Sequence, residues 1–180
     1  MENTNKIITS TFEVLVTTGC NLKCSYCFEK KERGKKINID KLIEFLKENP
    51  YIKRFSLFGG EPLLALDVIE KVIDYIENSE LDENQKNSLL DSARGIITNG
   101  TLIPKFIKRI KKNKLHLQIS LDGCKESHDL NRVFPNGNKT FDLLMESIKL
   151  CNENDIQYSL HGVLSKNTVK YLIIFVNYFF

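Results

Sequence analysis

The chain alternates between short β-branched runs and longer runs with helical spacing, and this alternation limits its fold more than any other feature. Short runs predict strands at 12–16, 55–58, 95–98, 115–121 and 156–164. Segments with apolar residues on one helix face follow the first four, at 39–46, 69–76, 103–110 and 141–148. A fifth helix is expected to begin at Asn167 or Thr168. The pattern predicts a parallel α/β fold with helices on the outer face of the sheet, either doubly wound or a partial barrel.

Three parts of the chain fall outside this alternation. The polar stretch 80–94 is assigned to no element, and 122–139 is predicted to be a long loop. The last run, 171–180, is apolar and has no helix C-cap, so the fifth helix is expected to be cut by a truncated or split reading frame. The alternative is a terminal helix that docks into the core or against a partner.

Composition restricts the class of protein. With 26 basic and 23 acidic residues the formal charge is +3, too small to indicate nucleic acid or membrane as a partner. The first residues include no apolar signal segment, and no run approaches the roughly 20 apolar residues that cross a bilayer, so a cytoplasmic location is expected. The length of 180 residues and the 42% apolar content suit one globular domain.

Chemically suggestive segments follow the C-terminal ends of four predicted strands. They are 20–27, 59–62, 99–100 and 120–123. In parallel α/β folds these strand ends form one rim, where ligands bind. We therefore expect the four segments to converge on one site.

The first of these segments carries three of the five cysteines. Cys20, Cys24 and Cys27 offer three soft ligands that suit zinc, copper(I) or an iron-sulfur cluster. A structural zinc ion needs four ligands, and in that interpretation Cys124 or His116 supplies the fourth. Three cysteines on a four-iron cluster instead leave one iron open, which is our preferred interpretation.

Several motifs together resemble the radical S-adenosylmethionine (radical SAM) enzymes. The cysteine loop, with Tyr26 in the aromatic position, matches their signature, and Gly59-Gly60-Glu61-Pro62-Leu63 resembles their glycine-rich motif. Segments 97–101, 120–123, 128–132 and 140–142 are most similar to the peptide- and sulfatase-modifying branch, which usually carries a cysteine-rich (SPASM-type) C-terminal extension. The resemblance implies a partial (β/α) barrel of six units, of which this chain has about five. Residues 1–180 would be the core domain, truncated before the sixth strand and the extension.

The resemblance also implies roles for individual residues. Cys20, Cys24 and Cys27 would hold a 4Fe-4S cluster whose open iron binds the amino and carboxylate groups of S-adenosylmethionine, and Tyr26 would lie against the adenine. The other residues expected to bind the cofactor are Gly59, Gly60, Glu61, Pro62, Asn99, Ser120, Asp122 and Arg132. Gly59 and Gly60, without side chains, would let backbone carbonyls approach the methionine ammonium.

Each of these residues also has a purely structural interpretation. The glycines and Asn99 suit an ordinary turn, Ser120 a strand-end hydroxyl and Arg132 a solvated charge. Glu61 would then brace the glycine loop, and Asp122 would cap a turn. Of the remaining candidates, Cys124 and His161 have no assigned role, and Cys151 is expected in the core.

The function implied by the resemblance is reductive cleavage of S-adenosylmethionine to a 5′-deoxyadenosyl radical that abstracts hydrogen from a peptide or protein side chain. The expected partners are that substrate, an electron donor such as flavodoxin or ferredoxin, and a second chain if one completes the barrel. Two alternatives remain open: an inactive or split fragment of such a maturase, and a zinc-binding module without catalysis.

Overall fold

The computed structural model describes residues 11–28, 34–171, 174 and 176. Within them, five parallel strands form one open sheet in which every strand pairs with its neighbour in sequence. The strands are β1 (Thr11–Thr17), β2 (Arg54–Gly59), β3 (Gly95–Thr98), β4 (His116–Ser120) and β5 (Tyr158–His161). The predicted parallel α/β fold is confirmed, and the sheet is that of a partial barrel rather than a doubly wound one, because its strand order never reverses.

Helices connect the strands and cover one face of the sheet. In the described residues the α-helices are α1 (Ile39–Glu48), α2 (Leu66–Glu77), α3 (Glu83–Arg94), α4 (Ile103–Lys112), α5 (Lys125–Asn131) and α6 (Phe141–Glu153). Short 3₁₀ helices span Pro62–Ala65 and Val169–Tyr171. None of the helices in this part of the chain is long and apolar enough to cross a membrane.

The core lies between the sheet and the helices. Alternate strand residues such as Leu57, Ile96 and Ile119 are buried there against the apolar stripes of the helices. The opposite face of the sheet is more open, and Ile97 on that face is 44% exposed. The covered face fixes the register of the strands, and so it fixes which residues reach the rim.

Two segments that the sequence analysis left without helices are helical. The stretch 80–94 contains α3, whose first turn is capped by the Asp82 side chain and whose buried apolar residues occur only in its second half. The predicted loop 122–139 contains α5, and the buried residues of α5 are polar, so no apolar stripe announces it. The predicted loop was therefore wrong at 125–131, and α3 was missed, because neither helix carries a full apolar stripe.

Near the end of the chain, the last strand and the helical turn after it differ from the prediction in length. Strand β5 is shorter than the predicted 156–164, and a 3₁₀ turn stands where a fifth helix was expected to begin at Asn167 or Thr168. Most of the apolar run 171–180 lies outside the described residues.

Candidate functional site

The three clustered cysteines lie in the loop that follows β1. None of Cys20, Cys24 and Cys27 is in a disulfide, and each is partly buried. Burial raises the pKa of the Cys20 thiol and raises that of Cys24 to about 11, although the Arg132 guanidinium opposes the shift at Cys24. Partly buried thiols of this kind become thiolates when a metal centre displaces their protons. The loop therefore offers soft metal ligands.

One side of the cysteine loop is anchored to the end of β3. The Asn21 amide donates to Thr101 Oγ1 at 2.8 Å, and Asn99 Nδ2 donates to Asn21 Oδ1 at 2.9 Å. The same Asn99 nitrogen lies 3.9 Å from Cys20 Sγ, which also accepts from the Leu22 N–H at 3.4 Å. The turn that contains Asn99 thus holds the loop and contacts its first thiol.

The other side of the loop is anchored to the segment after α5. Backbone N–H groups of Lys23 and Ser25 donate to the carbonyls of Val133 and Asn131 at 2.7 and 2.9 Å. The Ser25 hydroxyl also donates to Asn131 Oδ1 at 2.6 Å. The cysteine loop is consequently anchored from two directions by residues 78 to 110 positions away in the chain.

One buried donor beside this loop, Asn131 Nδ2, has no hydrogen-bond partner among the described residues. Arg132 Nε makes no hydrogen bond either, but it is ion-paired with Asp122 Oδ2 at 3.0 Å. Native structures rarely leave a buried donor unsatisfied, so Asn131 Nδ2 points to a bound group with acceptor atoms. Together with the thiols, it fits a metal-sulfur cluster and its ligand.

The described residues do not gather three or more His, Cys, Asp or Glu side chains closely enough for a single metal ion. His116 begins β4, at the opposite end of the sheet from the cysteine loop, so it cannot complete a zinc site there. Thiolates on a multi-iron cluster bind different irons and are spaced more widely than ligands of one ion. Of the two fourth ligands considered for a zinc ion, the position of His116 leaves Cys124.

The two glycines after β2 allow its backbone to lie against the end of β1. A Cβ atom at Gly59 would stand 2.4 Å from Thr17 O, and one at Gly60 would stand 2.6 Å from Gly19 O. Gly60 N donates to Thr17 O at 3.0 Å, and Glu61 N donates to Gly19 O at 2.8 Å. The glycines thus bring their loop directly onto the start of the cysteine loop.

The Glu61 carboxylate connects the glycine loop to the end of β3. It is fully buried and accepts from Leu63 N at 3.1 Å, Thr98 Oγ1 at 2.7 Å and Asn99 N at 2.8 Å. Burial raises the pKa of the Glu61 carboxyl, while these hydrogen bonds act in the opposite direction. With both oxygens engaged, Glu61 braces the loop, and its predicted contact with cofactor stays a prediction.

Tyr26, Asp122 and Arg132 form a second connected group at the rim. The Tyr26 hydroxyl donates to Asp122 Oδ2, and Arg132 Nε lies 3.0 Å from the same oxygen. The Arg132 guanidinium stands over the Tyr26 ring, 5.5 Å from its centroid, and Val163 N donates to Asp122 Oδ1 at 3.0 Å. The aromatic residue of the cysteine motif is thereby joined to the ends of β4 and α5.

The remaining predicted residues are placed as follows. Pro62 begins the 3₁₀ turn, and Ser120 ends β4 in register with His161, which is exposed. Cys124 is buried with its sulfur 3.9 Å from Ser127 Oγ. Cys151 is fully buried in the core, as predicted.

Sequence analysis missed the polar residues that anchor the loop. Asn21 and Ser25 lie between the cysteines and carried no recognised signal of their own. Thr101, His128 and Thr140 belonged to recognised motifs, but no role was assigned to them. Their roles depend on partners that are distant in sequence.

Comparison with known proteins identifies the family. The sequence profile of the Radical SAM superfamily matches residues 14–177. The chain belongs to the radical SAM superfamily, whose members use a 4Fe-4S cluster and S-adenosylmethionine.

Within the family, the chain is similar to enzymes with different substrates. It is 32% identical to a cysteine-type anaerobic sulfatase-maturating enzyme of Clostridium novyi, a match that covers 87% of this chain and 44% of the relative. It is 31% identical to a GTP 3',8-cyclase of Clostridium perfringens, over 84% of this chain and 45% of that enzyme. The chain thus spans less than half the length of these relatives.

A solved structure is also similar to this chain in sequence and in fold. Native anSMEcpe with bound AdoMet and Kp18Cys peptide superposes with a TM-score of 0.76 at 29% identity. The match covers 94% of this chain and 48% of that one.

Proposed function

We propose that this chain is the core of a peptide- or protein-modifying radical SAM enzyme. It would bind a 4Fe-4S cluster and S-adenosylmethionine, and abstract hydrogen from a side chain of its substrate. The observation that carries the proposal is the cysteine loop, anchored on both sides at the rim of a parallel sheet. The family match supports the radical chemistry.

Cys20, Cys24 and Cys27 are proposed as the ligands of the cluster. All three lie outside disulfides on one anchored loop, and the Asn99 amide near Cys20 Sγ is positioned to donate to a thiolate. Hydrogen bonds to ligand sulfurs are one means by which proteins tune cluster potential. When bound, the cluster supplies the electron that cleaves S-adenosylmethionine to methionine and a 5′-deoxyadenosyl radical.

The surrounding residues are proposed to bind and orient S-adenosylmethionine. Arg132 has a buried, planar guanidinium that suits a carboxylate, while Tyr26 offers an aromatic face for adenine. The other proposed contacts are Gly59, Gly60, Glu61, Pro62, Asn99, Ser120 and Asp122. Glu61, Asn99, Ser120 and Asp122 are buried, and such burial keeps water away from the reacting atoms.

A peptide or protein is the favoured substrate class. The relative at 32% identity is named a sulfatase-maturating enzyme, and the solved neighbour contains a bound peptide. The GTP cyclase relatives make a nucleotide the second candidate. The proposed partners also include a flavodoxin- or ferredoxin-type electron donor and, where residues 1–180 act as a separate core domain, a second chain that completes the barrel.

Anaerobic reconstitution tests the proposal. The protein is loaded with iron and sulfide, given S-adenosylmethionine and dithionite, and assayed for 5′-deoxyadenosine by mass spectrometry. We expect the product from the wild type, loss of both iron and product in Cys24→Ala, and retention of both in Cys151→Ala, which removes a core thiol outside the loop. Full iron and sulfide content in Cys24→Ala would refute the ligand assignment. A bound cluster without product in the wild type would refute the activity.

A further inference from the structure

His128 and Thr140 belong to motifs for which the proposed function has no use, yet both are buried beside the site. His128 is 1% exposed and Thr140 is completely buried. His128 lies in α5, and Thr140 immediately precedes α6. Burying an imidazole or a hydroxyl costs free energy unless its polar atoms are hydrogen-bonded. The hydrogen-bond partners of His128 and Thr140 therefore indicate their roles.

The His128 ring lies between the end of β4 and Thr140. Its Nδ1 accepts from the backbone N–H of Asp122 at 3.3 Å, and its Nε2 lies 3.0 Å from Thr140 Oγ1. A backbone N–H can only donate, so Nδ1 carries no proton and the neutral ring is protonated on Nε2. His128 therefore donates to Thr140.

Thr140 links His128 to the backbone of Arg132. Its hydroxyl accepts from His128 and donates to the Arg132 carbonyl at 2.6 Å. The three hydrogen bonds along this path all run in the same direction, from the Asp122 N–H to the Arg132 carbonyl. Hydrogen-bond chains of this kind reinforce one another in a buried setting.

The Arg132 carbonyl is flanked by the two carbonyls that hold the cysteine loop. The backbone at Arg132 is extended, and successive carbonyls of an extended chain point in opposite directions. Asn131 O and Val133 O accept from Ser25 N and Lys23 N, while Arg132 O faces Thr140 on the other side. Thr140 thus fixes the peptide planes to which the loop is attached.

We propose that His128 and Thr140 are positioning residues, which hold Asp122, Arg132 and the cysteine loop in the geometry that S-adenosylmethionine requires. The inference rests on the proposed function for its ligand, but the contacts that carry it belong to the chain itself. The effect of His128 and Thr140 passes through the backbone of residues 131–133 and through the end of β4.

Thr140→Val tests this directly, because valine keeps the shape of threonine and removes only the hydroxyl. Thr140→Ser restores the hydroxyl and serves as the rescue variant. Ser147→Ala is the matched control, since Ser147 in α6 is fully buried like Thr140, but its hydroxyl donates to the Leu143 carbonyl of its own helix. All variants are made in the full chain, reconstituted as above.

The first readout is amide hydrogen exchange in the peptide that covers 20–28. We expect faster exchange in Thr140→Val, and wild-type exchange in Thr140→Ser and Ser147→Ala. Unchanged exchange in Thr140→Val, or equally fast exchange in Ser147→Ala, would overturn the inference. This readout needs neither S-adenosylmethionine nor catalysis, so it decides the inference even where the wild type forms no 5′-deoxyadenosine and the proposed function fails.

The second readout is S-adenosylmethionine affinity, measured by equilibrium dialysis. We expect Thr140→Val to raise the Kd roughly tenfold, the size expected when one buried hydrogen bond is left unmade. Its iron content should stay near that of Ser147→Ala. An unchanged Kd in a folded Thr140→Val protein would contradict the positioning role.

The tautomer of His128 gives an independent check. In ¹⁵N-histidine-labelled protein, the signal lost in His128→Asn should report a neutral ring protonated on Nε2 at pH 7. A ring protonated on Nδ1, or on both nitrogens, would break the direction of the chain and overturn the inference.

Discussion

At the scale of single residues, the site depends on side chains that bind other parts of the backbone. Glu61 is the clearest case, because its two oxygens accept three hydrogen bonds from two different loops. Its burial in this network accounts for a raised pKa without a catalytic role. The network keeps the glycine loop and the Asn99 turn in contact.

Removal of the Glu61 carboxylate should therefore destabilise the fold. Glu61→Ala leaves three buried donors without an acceptor, and we expect the free energy of unfolding to fall by roughly 3 kcal/mol or more. Glu61→Gln should lose less, because its amide oxygen still accepts two of the three bonds. Urea unfolding measures both, with Glu153→Ala on the exposed face of α6 as the control. A Glu61→Ala protein as stable as the control would contradict the bracing role.

The glycine loop gives a second prediction at this scale. Gly60→Ala would place a Cβ 2.6 Å from Gly19 O and 3.0 Å from Cys20 Cβ, so the backbone of the cysteine loop must move. We expect a clear drop in iron bound after reconstitution, measured per chain.

Gly137→Ala is the control for the glycine prediction. No atom lies within 4 Å of its added Cβ, although its φ of +86° costs about 1 kcal/mol in strain. Its iron content should match the wild type. Equal iron content in Gly60→Ala would show that the close approach is dispensable.

At the scale of secondary structure, α5 and α6 form one unit through a cap supplied from outside. Asp129 Oδ1 in α5 accepts from the backbone N–H groups of Thr140 and Phe141 at the start of α6, both at 3.0 Å. Thr140 makes no side-chain capping bond to its own helix. The two helices are therefore joined at the rim, where Arg132 and the loop contacts begin.

Asp129→Ala should lower the free energy of unfolding by about 1–2 kcal/mol, the usual cost of losing a cap. Asp142→Ala is the matched control, because Asp142 lies in the first turn of the same helix and only makes an exposed ion pair with Lys125. Asp142→Ala should lower the free energy of unfolding by less than about 1 kcal/mol. Chemical denaturation compares the two, and equal losses would argue against the cap.

At the scale of the whole molecule, the parallel sheet brings its carboxyl ends, and the turns that follow them, to one rim. Residues that stand about 100 positions apart, such as Tyr26 and Asp122, meet there. The stability of the rim is linked to pH through His128. Burial lowers the pKa of His128 to about 4, the nearby Arg132 charge acts in the same direction, and Asp122 and Asp129 oppose it.

Stability should consequently fall on acidification between pH 6.5 and about 4. In that window the histidine of the unfolded protein binds a proton, while the buried ring of the folded protein stays neutral. Acidification therefore stabilises the unfolded state relative to the folded state. The contribution is roughly 3 kcal/mol, present above pH 6.5 and lost towards pH 4. Guanidinium unfolding followed by circular dichroism at several pH values measures it. His128→Asn should show a shallower dependence, and parallel curves would rule out His128 as the source.

The sequence by itself determined the class of fold and indicated where the candidate site lies. Strand and helix periodicities fix which faces are buried, and the cysteine spacing and glycine motif are local enough to be read from the chain. The sequence did not reveal α3 or α5, because their buried residues are late or polar and leave no full apolar stripe.

Only the tertiary structure decided how the site is held. Asn21, Ser25 and Asn131 act through partners far away in sequence, and such pairings depend on the register and order of the strands. The path from His128 through Thr140 to Arg132 is of the same kind. A hydrogen bond depends on a distance and a direction in space, and the folded sheet sets both.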